Sequence, residues 1–149
     1  MSNRDRWAQA AYEILVSQAG HYHSVIDDSE LGRQIQERTG VTTREGVQTW
    51  IGPVLELLVQ RCSREGLPAL TALVVSKDSG MVGDGYDMVL KAAGIPRIED
   101  PALREVHAAQ ARLDCHRWAG ARDLPADGGS PAMSPVYASA LETRCDPNQ

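Results

Sequence analysis

The chain has 149 residues, 42% of them hydrophobic and 23% charged, enough for one folded domain with a core of its own. Its formal charge is -5, so the whole-molecule field repels phosphate and any nucleic-acid contact must come from a local cationic patch. No apolar run reaches bilayer length and the opening MSNRDRW lacks the apolar stretch of a signal peptide, so the expectation is a cytoplasmic protein with no membrane partner.

Residues 4–19 place Trp7, Ala11, Ile14 and Leu15 on one helical face, and Gly20 stops the helix. HYHSVI then reads as a short strand. The segment DDSELGRQIQERTG opens on acidic caps, buries Leu31 and Ile35, and ends at Gly40. Next, Val47, Trp50, Ile51, Val54, Leu55, Leu58 and Val59 form the apolar face of a long helix. A cap is expected at Thr42 or Thr43, and a kink or break at Pro53, because proline removes a backbone donor and crowds the preceding turn.

The stretch LPALTALVVSKDSGMVGDGY reads as a hairpin: ALTALVVS as a strand, KDSG as the turn, MVG as the start of the return. DGYDMVLKAAG is a short helix. Asp100 and Pro101 then open a last helix carrying Leu103, Val106, Ala109, Leu113 and Trp118, and the proline- and glycine-rich remainder is irregular. Helix, short strand, two helices, hairpin and helix predict an α+β winged helix-turn-helix with an extra C-terminal helix. The expected division is a winged-helix domain over 1–95, a packed helix over 96–120 and an irregular tail over 121–149.

Candidate chemistry is sparse. Gly80, Gly83 and Gly85 do not follow a phosphate-loop spacing. His21, His23, His107, His116 and the cysteines Cys62, Cys115 and Cys145 lack the paired ligand spacing of a structural zinc site, so no metal or other cofactor is expected, and the odd cysteine count reads as free thiols. The acid pairs Asp27 with Asp28 and Glu99 with Asp100 flank helix starts, where carboxylates serve as caps. For a winged helix on duplex DNA, the candidate contacts are Thr42, Thr43, Arg44 and Gln48 ahead of and within the third helix, Arg61 and Arg64 at its far end, and Lys77 at the wing tip. Over 42–80 these cations are matched one for one by Glu45, Glu56, Glu65 and Asp78. Trp7, Trp50 and Trp118 lie on apolar helix faces and are expected in the core.

The segment LTALVVSKDSGMVGDGY, with Val74, Val75, Gly80, Gly83 and Tyr86, resembles the motif region in the DNA-binding domain of O6-alkylguanine-DNA alkyltransferases and alkyltransferase-like proteins. DDSELG and TWIGPVL are similar to two further stretches of that domain, and the likeness spans roughly residues 10–90. Thr71 and Ala72 stand where the family has its nucleophilic cysteine and histidine, Asp28 where it has the nucleotide-rotating tyrosine, and Thr49 where it has the arginine that fills the base stack. The chain also looks like small actinobacterial proteins sharing WIG, LTALVV and a LPADGG tail, a likeness that implies no function. The expectation is a non-enzymatic module that binds double-stranded DNA, or alternatively a protein-interaction module, with a homodimer as one form of it, that keeps the scaffold without the DNA surface.

Overall fold

The protein is described by a computed structural model covering residues 2–134. Five helices carry the architecture: α1 (Asn3–Ala19), α2 (Asp28–Thr39), α3 (Val47–Glu65), α4 (Asp87–Ala92) and α5 (Pro101–Ala119). Two-residue strands β1 (Ile26–Asp27) and β2 (Val74–Val75) pair in parallel, Ile26 opposite Val74 and Asp27 opposite Val75. Short 3-10 turns occupy Leu70–Leu73 and Asp84–Tyr86.

The helix ends follow local chemistry. Ser2 and Asp5 form a reciprocal capping box on α1, Asp27 accepts the Glu30 amide at the start of α2, and Asp100 accepts the Ala102 amide ahead of Pro101. Gly40, Gly66 and Gly120 close α2, α3 and α5 with positive φ of 70°, 68° and 63°, the left-handed conformation that glycine adopts without a Cβ penalty. Neither Thr42 nor Thr43 caps α3: its N-cap is Gly46, with no side-chain hydrogen bond. Pro53 lies inside one continuous helix, whose buried neighbours Trp50, Ile51, Val54 and Leu58 hold it together through packing.

The α+β winged-helix prediction is overturned: the described residues are mostly helical, with only a two-strand parallel sheet and no hairpin wing. Residues 70–73 coil as a 3-10 turn, and Val74–Val75 pairs with β1 across the sheet instead of with its own return. Past β2 the chain turns tightly, with the Ser76 amide bonded to the Met81 carbonyl at 2.8 Å and Gly80 at φ 71°. The Val82 amide then donates to the Glu105 side chain, so no antiparallel ladder forms. The β-branched run reported burial: every residue from Leu70 to Val75 is buried. A parallel partner 48 residues upstream, across two helices, leaves no local signature.

One core joins α1, α2, α3 and the 70–73 turn through Leu15, Leu31, Ile35, Val54, Leu58, Leu70 and Leu73. A second, built on Val59, Ala72, Val82, Tyr86, Val89, Leu90 and Ala108, seats α4 and α5. The apolar residues read along α5 do not all face inward: Leu103, Val106 and Trp118 are exposed by 59%, 46% and 43%. The helix instead buries Arg104, Glu105, Arg112 and His116 among alanines. Trp118 therefore departs from its expected place in the core.

The described part of the tail packs against the α1–β1 connection. The Tyr22 hydroxyl lies between the amide and carbonyl of Ser130, and the Tyr22 amide donates to Asp123 at 2.9 Å, which holds that carboxyl below its usual range. His116, buried by α5, is bonded at Nδ1 to the Ala19 carbonyl at 2.8 Å and accepts the His23 amide at Nε2. Among the described residues, no helix is long and apolar enough to cross a membrane. Cys145 and the rest of the tail lie outside them.

Candidate functional site

The α2–α3 connection is fixed before any ligand arrives. Trp7 packs on Trp50 with ring centroids 4.5 Å apart and donates its indole N–H to the Val41 carbonyl at 3.0 Å. Thr39 accepts the Val41 amide and Gln36 accepts the Thr43 amide at 3.1 Å. Close packing at Gly32 adds to this: a Cβ there would stand 2.6 Å from a Val47 methyl and 3.3 Å from the Trp50 ring.

Asp28 then gathers three elements. Its Oδ1 accepts the Ser29 amide at 2.8 Å and the Lys77 amide at 3.3 Å, while its Oδ2 accepts the Gln48 side-chain amide at 2.7 Å. The starts of α2 and α3 and the turn after β2 thus meet on one carboxylate. Beside them opens a pocket of about 380 Å³, with Ile51, Leu55, Val74, Val82 and Met88 as apolar walls and Gln48, Ser76 and Gly83 among its polar edge. The volume suits a small planar or aliphatic guest.

Thr71 contributes to this pocket, and its hydroxyl has no hydrogen-bond partner among the described residues although the residue is only 8% exposed. An unpaired buried hydroxyl costs about 1–3 kcal/mol, so it marks a place where a guest or a solvent molecule would be stabilised. Tyr86 closes another side, with its hydroxyl 2.6 Å from His107 Nδ1; burial pushes the phenol well above its ordinary value and keeps it protonated. Behind the pocket, α5 supplies Glu105, which binds the Val82 amide and the Arg112 guanidinium.

The predicted contacts separate into two groups. Gln48 and Lys77 meet through Asp28, and exposed Thr42 and Arg44, with half-buried Thr43, lie on the braced connection leading into α3. Among the described residues neither Arg44 nor Lys77 pairs with an acid. Arg61 and Arg64 sit at the other end of α3, about 20–24 Å along its axis from Gln48 at 1.5 Å per residue. Arg61 is committed internally: it bonds Glu65 at 2.8 Å and Gln9 at 3.0 Å and stacks its guanidinium 3.7 Å from the Tyr12 ring centroid. Arg64 stays exposed, 4.0 Å from Glu65.

Glu105 escaped sequence reasoning as a member of a site, and Asp28 and Thr71 stand out there only as departures from the alkyltransferase motif. Asp28 reads as one of two capping acids; only its partners 20 and 49 residues away distinguish it from Asp27. The histidines and thiols are dispersed, and among the described residues no three metal-ligating side chains converge. Burial raises the Cys62 thiol above its ordinary value and the Cys115 thiol to about 12. The chain matches no family model, no curated protein and no solved structure.

Proposed function

We propose that the protein is a non-enzymatic, cytoplasmic module that binds double-stranded DNA at the mouth of the pocket between α3 and residues 71–88. The observation that carries this reading is the uncapped start of α3 between two unpaired cations. Gly46 provides no side-chain cap and the first turn holds no acid, so backbone donors and the positive end of the helix dipole face outward. Arg44 precedes that helix start, and Lys77 extends from the turn whose backbone is tied to Asp28. A phosphate at the helix start and a second near Lys77 would place the pocket against the nucleic acid between them. The likeness of residues 10–90 to an alkyltransferase DNA-binding domain is in keeping with this, and Thr71 in place of the cysteine is in keeping with binding without alkyl transfer.

The cations are few and Glu45 and Asp28 stand nearby, so binding is expected to be weak, salt-sensitive and shallow in its salt slope, which scales with the number of phosphates contacted. The test is fluorescence anisotropy of a labelled random-sequence duplex at low and near-physiological salt, with wild type and the Arg44→Ala/Lys77→Ala double variant. Salt-sensitive binding that the double variant loses supports the reading. Absence of binding at low salt, or binding indifferent to the double substitution, refutes it.

One observation favours a second reading, a protein-interaction module. Leu103, Val106 and Trp118 lie exposed along one side of α5, with Gln110, Asp114 and Arg117 between them. Such a face fits a partner helix or a second copy of the chain. Light scattering coupled to gel filtration, comparing wild type with Val106→Glu, separates a homodimer from a monomer.

A further inference from the structure

The Glu105 carboxylate, fully buried in α5, serves two segments that are otherwise remote. Its Oε1 accepts the Val82 amide at 3.4 Å, and Val82 is a wall of the pocket between α3 and residues 71–88. Its Oε2 accepts the Ser134 amide at 2.9 Å, and Ser134 ends the described strap that runs from α5 over the α1–β1 connection. Arg112 grips both oxygens, at 2.7 and 2.9 Å, and passes its third donor to the Ala72 carbonyl at 2.8 Å, next to Thr71. Ser134 is 1% exposed, so the strap seals this carboxylate from water.

We propose that Glu105 is a positioning residue through which the C-terminal strap sets the firmness of the pocket wall at 81–86. The 3.4 Å bond from Val82 is the longest of those on the carboxylate, so it is the first that water reaching that oxygen would displace. With Ser134 docked, water is kept away and the bond is retained in a low-dielectric setting. With the strap lifted, water reaches Glu105, the Val82 bond loosens, and the wall carrying Val82, Gly83 and Tyr86 opens and closes more freely. Coupling of this kind is reciprocal: a guest that holds Val82 still also holds Ser134 down. That the wall matters to a ligand rests on the proposed DNA-binding reading; the mechanical coupling does not.

The experiment is hydrogen–deuterium exchange of the full-length protein, comparing wild type, Ser134→Pro and Ser134→Ala. Proline removes the amide donor while alanine keeps it, so their difference reports the bond to Glu105 together with the backbone constraint that proline places on residues 133 and 134. Ser134→Pro is expected to speed exchange of residues 81–86 about tenfold over Ser134→Ala, the factor that one ordinary hydrogen bond represents. Tyr22→Phe, which removes both Tyr22 bonds at Ser130 and leaves the one from His23 at 3.0 Å, without touching Glu105, is expected to speed the same amides to a lesser degree. Equal exchange of 81–86 in the proline and alanine variants, with Tyr22→Phe also silent, would overturn the coupling. Faster exchange without any duplex binding keeps the coupling and rejects the DNA reading.

Discussion

Replacing Glu105 by glutamine tests the α5 core most sharply. The Glu105 and Arg112 side chains are 0% and 5% exposed and meet in a two-pronged contact. Glutamine keeps the volume but removes the charge that balances the guanidinium, leaving Arg112 with the Ala72 carbonyl and one amide oxygen, and Val82 and Ser134 competing for that same oxygen. Breaking one side of a buried pair costs about 3–5 kcal/mol, because the remaining charge is left in a low dielectric. For a domain of this size that corresponds to a fall in melting temperature of roughly 10–20 °C. Urea unfolding followed by tryptophan fluorescence and far-UV circular dichroism reads the change. The Glu105→Leu/Arg112→Met double variant removes both charges and leaves only neutral backbone groups unpaired, a cost of about 1–3 kcal/mol for each group that finds no water. A Glu105→Gln variant within about 1 kcal/mol of wild type would show that the pair is not desolvated as the structure describes it.

Other consequences can be checked separately. Burial lowers the pKa of His116 below its ordinary 6.5, with the Ala19 carbonyl and the nearby Asp123 opposing the shift and His23 and Arg112 adding to it. The unfolded chain therefore binds the proton more readily, so this contribution to stability is complete above pH 6.5 and declines as pH falls below it. Melting temperatures measured from pH 7.5 to 5 should fall, and His116→Gln should flatten that slope; an unchanged slope argues against a buried neutral imidazole. Gly32→Ala drives a Cβ into the stiff Val47 side chain and is expected to cost about 1–3 kcal/mol by thermal unfolding, with a neutral result showing that α2 and α3 lie further apart. Trp50→Ala should lose about 3–5 kcal/mol and Trp118→Ala much less, since only the first ring is buried; equal losses would place Trp118 in a packed interface.

What the sequence by itself determined was the helices and several of their ends, though not the start of α3 at Gly46. The Asp27 and Asp100 caps, the stops at Gly20 and Gly40, and the apolar period of α1, α2 and α3 act over at most a few residues, so local chemistry is enough to place them. Tertiary structure decided the rest. Val74–Val75 looks like half of a hairpin, but a strand's partner depends on which backbone reaches its edge, and here it is Ile26–Asp27. On α5 the apolar period is split, with Ala109 and Leu113 buried and Leu103, Val106 and Trp118 exposed, while a buried charge pair satisfies itself against Ala72, Val82 and Ser134, an arrangement visible only once those backbones are in place. The pocket follows the same rule: Asp28, Gln48, Thr71 and Val82 are ordinary residues in their own neighbourhoods, and only the fold that closes α3 against the 74–88 segment makes them a site.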